Sequence, residues 1–135
     1  MYPDHYVLVR ASHEASRNAL TEHCYASAYQ ALEAADDVHA KRLFSLLAIL
    51  APLDERPWIG LAVCAERQTN WAMTAALYSI RAALVKDSAW AHFGRGRALL
   101  RLGKRTSAQL AFDAAEAVAP DEVLIAAIEA ERTNT

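Results

Sequence analysis

Apolar residues return at helical spacing along the whole chain, in segments separated by short polar breaks. The pattern predicts a first set of helices over about 22–34, 56–68 and 90–102. It predicts a second set over about 38–50, 72–85 and 105–119. The breaks inside each pair fall at Ala35-Asp36-Asp37, Gln68-Thr69-Asn70 and Leu102-Gly103-Lys104. Between pairs lie Pro52-Leu53-Asp54, Lys86-Asp87-Ser88 and Pro120-Asp121. Asp37 and Asn70 suit the starts of second helices, and Asp54, Asp87 or Ser88, and Asp121 the starts of the next ones. Each side chain accepts hydrogen bonds from the free N–H groups of a first turn. Gly103 fits a left-handed helix C-cap, and Pro57 a first helical turn.

A shift of the chain by 34 residues superposes its pattern on itself. Aromatic residues coincide at Phe44, Tyr78 and Phe112, and small residues at Ala28, Ala62, Gly96 and at Ala40, Thr74, Ala108. Leu50, Leu84 and Val118 also align, and Pro52 matches Pro120 with Lys86 as the exception. The repeats run over 21–54, 55–88 and 89–122 of a single domain spanning 1–135. Where two helices of a hairpin cross closely, only a small residue fits. The ring at 44, 78 and 112 then fills the space between one hairpin and the next. No hairpin can bury its apolar face alone, so the stack makes the core.

Residues 1–20 form an N-terminal helical segment in this reading, and 123–135 a capping helix and tail. The capping helix shows Val123, Leu124, Ala127 and Ile128 at helical spacing. The N-terminal segment carries Tyr6, Val7, Leu8, Val9, Ala15, Ala19 and Leu20, more apolar residues than a lone frayed helix needs. It either caps the first repeat or dimerises.

Composition agrees with a helical fold: Gly and Pro occur four times each, and 54% of the 135 residues are hydrophobic. The formal net charge of -2 gives no general attraction to nucleic acid or to an acidic membrane. The longest apolar run, 43–53, is broken by Ser45 and Pro52 and is about half of the ~20 residues a membrane span needs. The N-terminus lacks a signal-peptide core, so the chain reads as cytoplasmic. Cys24 and Cys64 lack metal-type spacing, and no two of the five histidines form a ligand pair. Gly94-Arg95-Gly96 lies inside a helical pattern and has no third glycine, which excludes a phosphate loop. Asp36-Asp37 and Asp54-Glu55 sit at turns, where carboxylates act as caps, and no titratable cluster suggests an enzyme. Arg95, Arg97, Arg101, Lys104 and Arg105 form a local basic patch of the kind that is normally solvated helix surface.

The aligned positions resemble the tetratricopeptide-repeat (TPR) signature. Its small position 8 is Ala28, Ala62 and Gly96, and its position 20 is Ala40, Thr74 and Ala108. Its ring position 24 is Phe44, Tyr78 and Phe112, while the signature Trp survives only as Trp58. The resemblance implies an all-α TPR superhelix of three helix-turn-helix repeats with an N-terminal helix and a C-terminal capping helix. Three stretches, 40–47 with Pro52-Leu53-Asp54, 58–62 with Trp71 and Tyr78, and 91–104, are similar to the SycD/LcrH class II chaperones of bacterial type III secretion. That narrower resemblance implies a cytoplasmic chaperone that holds a hydrophobic translocator before export. It implies no nucleotide or metal. Family members usually carry a longer N-terminal helical region, often used for dimerisation, and a homodimer through residues 1–20 is possible here.

In stacked hairpins the first helix of each pair lines a concave face, with open positions at i, i+3, i+7 and i+10/11. These positions are Glu22, Tyr25, Tyr29, Leu32 and Glu33, then Arg56, Ile59, Val63, Glu66 and Arg67, then Trp90, Phe93, Arg97, Leu100 and Arg101. So apolar a face suits an extended protein segment with alternating hydrophobic anchors. Arg67, Arg97 and Arg101 are placed to take its carbonyls or carboxylates. The expected role is therefore protein binding by a type III secretion chaperone. The alternative is a TPR scaffold or co-chaperone in a larger assembly, such as a needle-subunit chaperone partner, working through its convex face or ends.

Overall fold

The computed structural model describes residues 3–118 and 120–134, with side chains placed for 14, 16–118 and 120–134. Seven helices and no strand occur among the described residues. They are α1 (Pro3–Glu33), α2 (Asp37–Leu50), α3 (Glu55–Arg67), α4 (Trp71–Leu84), α5 (Ala89–Arg101), α6 (Arg105–Ala117) and α7 (Glu122–Thr133). From α1 to α6 each packs mainly on its neighbours in the chain, α1 also touches α3, and α7 rests on both α5 and α6. This is the TPR arrangement, in which odd-numbered helices form the inner row and even-numbered helices the outer one.

The N-terminal segment is helical, but no break separates it from the first repeat: α1 is one helix of 31 residues. Its partner α2 has 14 residues, so at about 1.5 Å per residue roughly half of α1 runs past the end of α2. Arg17 and Asn18 of α1 share a recess with Leu50 and Ala51, which places the overhang before them. The side chains of Tyr6, Val7, Leu8, Val9 and Ala15, which bear on capping or dimerisation, lie outside the described residues.

Side-chain caps open α2 to α5 and α7. Asp36 accepts from His39 N–H, Asp54 from Arg56, Asn70 from Met73, Ser88 from Ala91 and Asp121 from Leu124. Asp36 therefore caps α2 in place of Asp37, because the cap must sit one residue before the first helical N–H. Asp37 instead receives Arg67 Nη1 at 2.7 Å. Of Asp87 and Ser88, Ser88 is the cap, and Asp87 takes a left-handed conformation with φ 66°.

The turn inside each repeat has one geometry. Ala35, Thr69 and Gly103 stand 34 residues apart with φ of 59°, 55° and 77°. In each turn the next residue donates five residues back, from Asp36 to Ala31, Asn70 to Ala65 and Lys104 to Leu99. This is a Schellman end, which saturates the last carbonyls of the first helix and reverses the chain.

The small positions do the work the repeat pattern demands of them. Ala28, Ala62, Ala40, Thr74 and Ala108 are buried, and Thr74 fits because its hydroxyl donates to the Asn70 carbonyl at 2.9 Å. Phe44 and Phe112 are fully buried, whereas Tyr78 is half-buried. A Cβ on Gly96 would stand 2.5 Å from the Phe112 ring. A further small position, absent from the sequence reading, lies at Gly60 and Gly94, 34 residues apart. A Cβ there would stand 2.5 Å from the ring of Phe44 or Tyr78, which belongs to the preceding repeat. The ring thus closes on its own hairpin and on the glycine of the next. Leu124 and Ile128 of α7 join the core that holds Phe112, so α7 covers the last repeat.

Candidate protein-binding groove

On α3, at 100° per residue, Ile59, Val63 and Arg67 project on one face and Trp58, Leu61 and Ala65 on the other. The first face belongs to the inner row, and the second forms the floor between α2 and α4. No Cα of α3 comes within 8 Å of one in α5, whereas α1 reaches α3 and α5 reaches α7. The inner row is therefore widest between the second and third repeats. Ile59 and Val63 of α3 and Trp90 of α5 stand on that stretch.

Two rings read as open are not. Tyr25 is 2% exposed and Phe93 is 7% exposed. The Tyr25 hydroxyl donates to Asp54, and the Arg56 guanidinium lies 3.9 Å over its ring. Burial, reinforced by Asp54, pushes its pKa up to about 12. Phe93 packs edge-on against Trp90 at 5.8 Å between centroids and at 6.1 Å from Phe112. Both rings lie at the margin of the inner face and are covered by a neighbour on their own or the next helix. They line the floor of the inner row and are not open on it.

The arginines are also committed. Arg56 grips Asp54 and, through Nη2 at 3.0 Å, Glu22, the residue one repeat earlier. The Arg56 hydrogen bonds hold the Asp54 carboxyl below its usual range. Arg67 Nη1 donates to the Leu32 carbonyl at 2.9 Å and to Asp37, pinning the second repeat to the turn of the first. Arg97 Nε lies 3.2 Å from Glu131, and Arg101 Nη1 lies 3.9 Å from it. Arg101 also stands 5.9 Å from the Trp71 ring centre.

What remains open on the inner row is apolar and aromatic. Tyr29 is 38% exposed and leans edge-on against Phe44 at 5.4 Å. Trp90 is 47% exposed, and Leu32, Ile59, Val63 and Leu100 are half-buried. Arg101 is exposed at the end of the row. The groove offers a shallow apolar strip with one basic end.

The chain superposes on PcrH of Pseudomonas aeruginosa with a TM-score of 0.76, at 25% identity, over 84% of this chain and 89% of that one. It superposes as well on PcrH in complex with the chaperone binding region of PopB, at 25% identity over 84% and 94%. Its fold is that of the type III secretion translocator chaperones. Yersinia enterocolitica SycD, in complex with a peptide of the translocator YopD, shares the fold at a TM-score of 0.74 and 19% identity, over 84% and 92%. No protein-family model and no curated protein matches the sequence. The translocator-chaperone fold explains why the 34-residue columns are legible while the side chains between them diverge. Packing between hairpins constrains the columns, and the surface between them is under no such constraint.

Charge contacts down the columns were missed by reading along single helices. Glu22 and Arg56, and Arg97 and Glu131, are each 34 residues apart and each paired. An acidic residue one period from a basic one on the inner face was the signal available in the sequence.

Proposed function

We propose that this chain is a cytoplasmic type III secretion chaperone that binds an extended segment of a hydrophobic translocator along its inner row and keeps it soluble before export. One observation carries the reading: PcrH and SycD hold translocator segments on this same fold, and here the inner row leaves Tyr29, Ile59, Val63 and Trp90 partly exposed. Partly buried aromatic and aliphatic side chains supply contact area at little ordering cost. The role needs binding alone, with no catalysis, nucleotide or nucleic acid. No described helix is long and apolar enough to cross a membrane. Co-expression with translocators of the same secretion system tests the reading. A soluble stoichiometric complex is expected, weakened by Tyr29→Ala and Trp90→Ala. Failure of every translocator to co-purify would refute it.

A homodimer through the N-terminal segment belongs to the same proposal. The overhang of α1 lies at the end of the first repeat, where Leu20, Ile49, Leu50 and Leu53 are exposed.

A second reading, a scaffold working through its outer face, has its own support. A cavity of about 350 Å³ lies between α2 and α4, lined by Trp58, Leu61, Cys64, Met73, Leu77 and Ile80. In that case, the partner would be lost on filling this cavity and retained by Tyr29→Ala with Trp90→Ala.

A further inference from the structure

Glu131 sits in the last turn of α7, yet its side chain is only 17% exposed. The two arginines that shelter it, Arg97 and Arg101, are more open at 35% and 46%. A carboxylate is thus held out of water by guanidinium groups of the inner-row helix α5 whose side chains are more open than its own. Glu131 stands in one 34-residue column with Tyr29, Val63 and Arg97, so it reaches the inner face on which a client would lie.

Its grip is poor in geometry. Arg97 Nε is 3.2 Å from Glu131 Oε1, but its N–H is buried and makes no aligned hydrogen bond. Arg101 is at 3.9 Å, the outer limit of a contact. Arginine binds a carboxylate best through two parallel N–H···O bonds, and Glu131 supplies neither of good alignment. The last turn of α7 also holds none of that helix's buried residues. Leu124 and Ile128 anchor its earlier turns, and Arg132 holds the end to Asp113 and Glu116 by partly exposed ion pairs. Such pairs contribute little.

We infer that Arg97 and Arg101 form a carboxylate subsite at the third-repeat end of the groove, occupied in the free protein by Glu131. The ligand that displaces Glu131 is an Asp or Glu side chain of the client. This rests on the groove being the client site. The client segment then combines apolar anchors over Ile59, Val63 and Trp90 with an acidic residue near Arg97. Glu131 sets the threshold for its entry.

The test uses short acetylated, amidated peptides tiling the co-expressed translocators, so that only side chains supply carboxylates. Each peptide is also made with every Asp and Glu replaced by Asn and Gln. The full-length protein and its Glu131→Gln and Arg97→Gln variants are titrated with both sets. Peptides binding at the groove should prefer the acidic form. Glu131→Gln should strengthen the acidic form by about tenfold and leave the neutral form unchanged. Arg97→Gln should erase the difference. If Glu131→Gln loosens α7, the Arg97→Gln result decides by itself. Equal binding of acidic and neutral peptides by the wild type and both variants overturns the subsite and leaves the groove standing. If no peptide binds any of the proteins, the groove reading falls and the subsite falls with it.

Discussion

The Tyr25 hydroxyl donates to Asp54 Oδ2 at 3.2 Å across 29 residues, tying the first helix to the start of the third. Asp54 at once caps α3 through Arg56 N–H and receives the Arg56 side chain at 2.7 Å. Asp54→Ala removes all three contacts and leaves the buried Tyr25 hydroxyl unpaired. The expected loss is about 2–3 kcal/mol, against about 1 kcal/mol for the exposed cap Asp36→Ala. Urea melts of the two variants compare them. Asp54 has a folded pKa below its unfolded value, so its contribution is complete above about pH 4 and is lost as pH falls through the folded value. Asp54→Ala should accordingly flatten the acid limb of the stability curve.

Ala35 and Thr69 occupy the left-handed position that Gly103 fills without strain. A Cβ in that region costs roughly 1–2 kcal/mol, partly offset in a glycine variant by greater freedom of the unfolded chain. Thr69→Gly should raise stability by about 0.5–1 kcal/mol, and more than Ala35→Gly does, because Thr69 is β-branched. Gly103→Ala should lower it. Thermal melts of the three variants give the signs, and a destabilising Thr69→Gly would remove this account of the turn.

Glycine to alanine within a helix ordinarily stabilises by about 1 kcal/mol, so the inner glycines invert a general rule. At Gly60 the new Cβ meets the fully buried Phe44 ring, which has nowhere to go. Gly60→Ala should cost about 1–3 kcal/mol, and Phe44→Leu in the same chain should recover part of it. At Gly94 the obstacle is Tyr78, which is half-buried and less enclosed than Phe44, so Gly94→Ala should cost less. A double-mutant cycle at 44 and 60 that shows no coupling would contradict the contact.

These contacts mark the limit of what the chain's pattern conveys. The columns 28/62/96, 40/74/108 and 44/78/112 were legible because a hairpin crossing admits only small residues and the gap beyond it only a ring. Helix ends from α2 to α6 followed within one or two residues, as at α3 (Glu55–Arg67) against 56–68, whereas the first helix begins at Pro3 rather than near 22. Tyr25 and Phe93 were misplaced because they stand at the margin of a face. Whether such a ring turns in or out depends on Arg56 or Trp90 covering it, and spacing along one helix does not contain that. The turn at Ala35 and Thr69 escaped because neither is glycine, and hydrogen bonding of the helix end overrides the local cost. Glu131 escaped for a related reason: a capping helix needs only its apolar residues, and the role of its one inward carboxylate appears only once α7 is docked on α5.

Alkaline titration separates two shielded phenols, the buried Tyr25 and the half-buried Tyr78, from an ordinary tyrosine. Tyr25 and Tyr78 are both pushed up to about 12, chiefly by burial and then by Asp54 or Glu66 beside them. In the unfolded chain both ionise near 10. The folded protein holds these protons over the interval between, so their stabilisation is complete below about pH 10 and is lost as pH rises towards 12. Tyrosinate absorbance should rise late in the native protein relative to the same protein in urea. Tyr25→Phe and Tyr78→Phe should each remove part of the late rise. Identical native and urea titrations would show that these hydroxyls are not shielded.

Phe93 and Trp90 touch edge to face on one turn of α5, yet they are predicted to fail in opposite ways. Phe93 is 7% exposed and shares the core of Phe112, so Phe93→Ala opens a cavity and costs about 3–5 kcal/mol. Trp90 is 47% exposed, and most of its outer face contributes nothing to the folded state by itself. Trp90→Ala should lower stability by about 1 kcal/mol or less, chiefly through the lost contact with Phe93. If the inner row holds the client, the same variant should weaken binding at least tenfold, the scale of an aromatic hot spot. Phe93→Leu keeps the core filled and should leave binding nearly intact. Melting curves and client titrations of the three variants decide between floor and contact surface. A Trp90→Ala protein that binds its client at full strength would move the binding surface off the inner row.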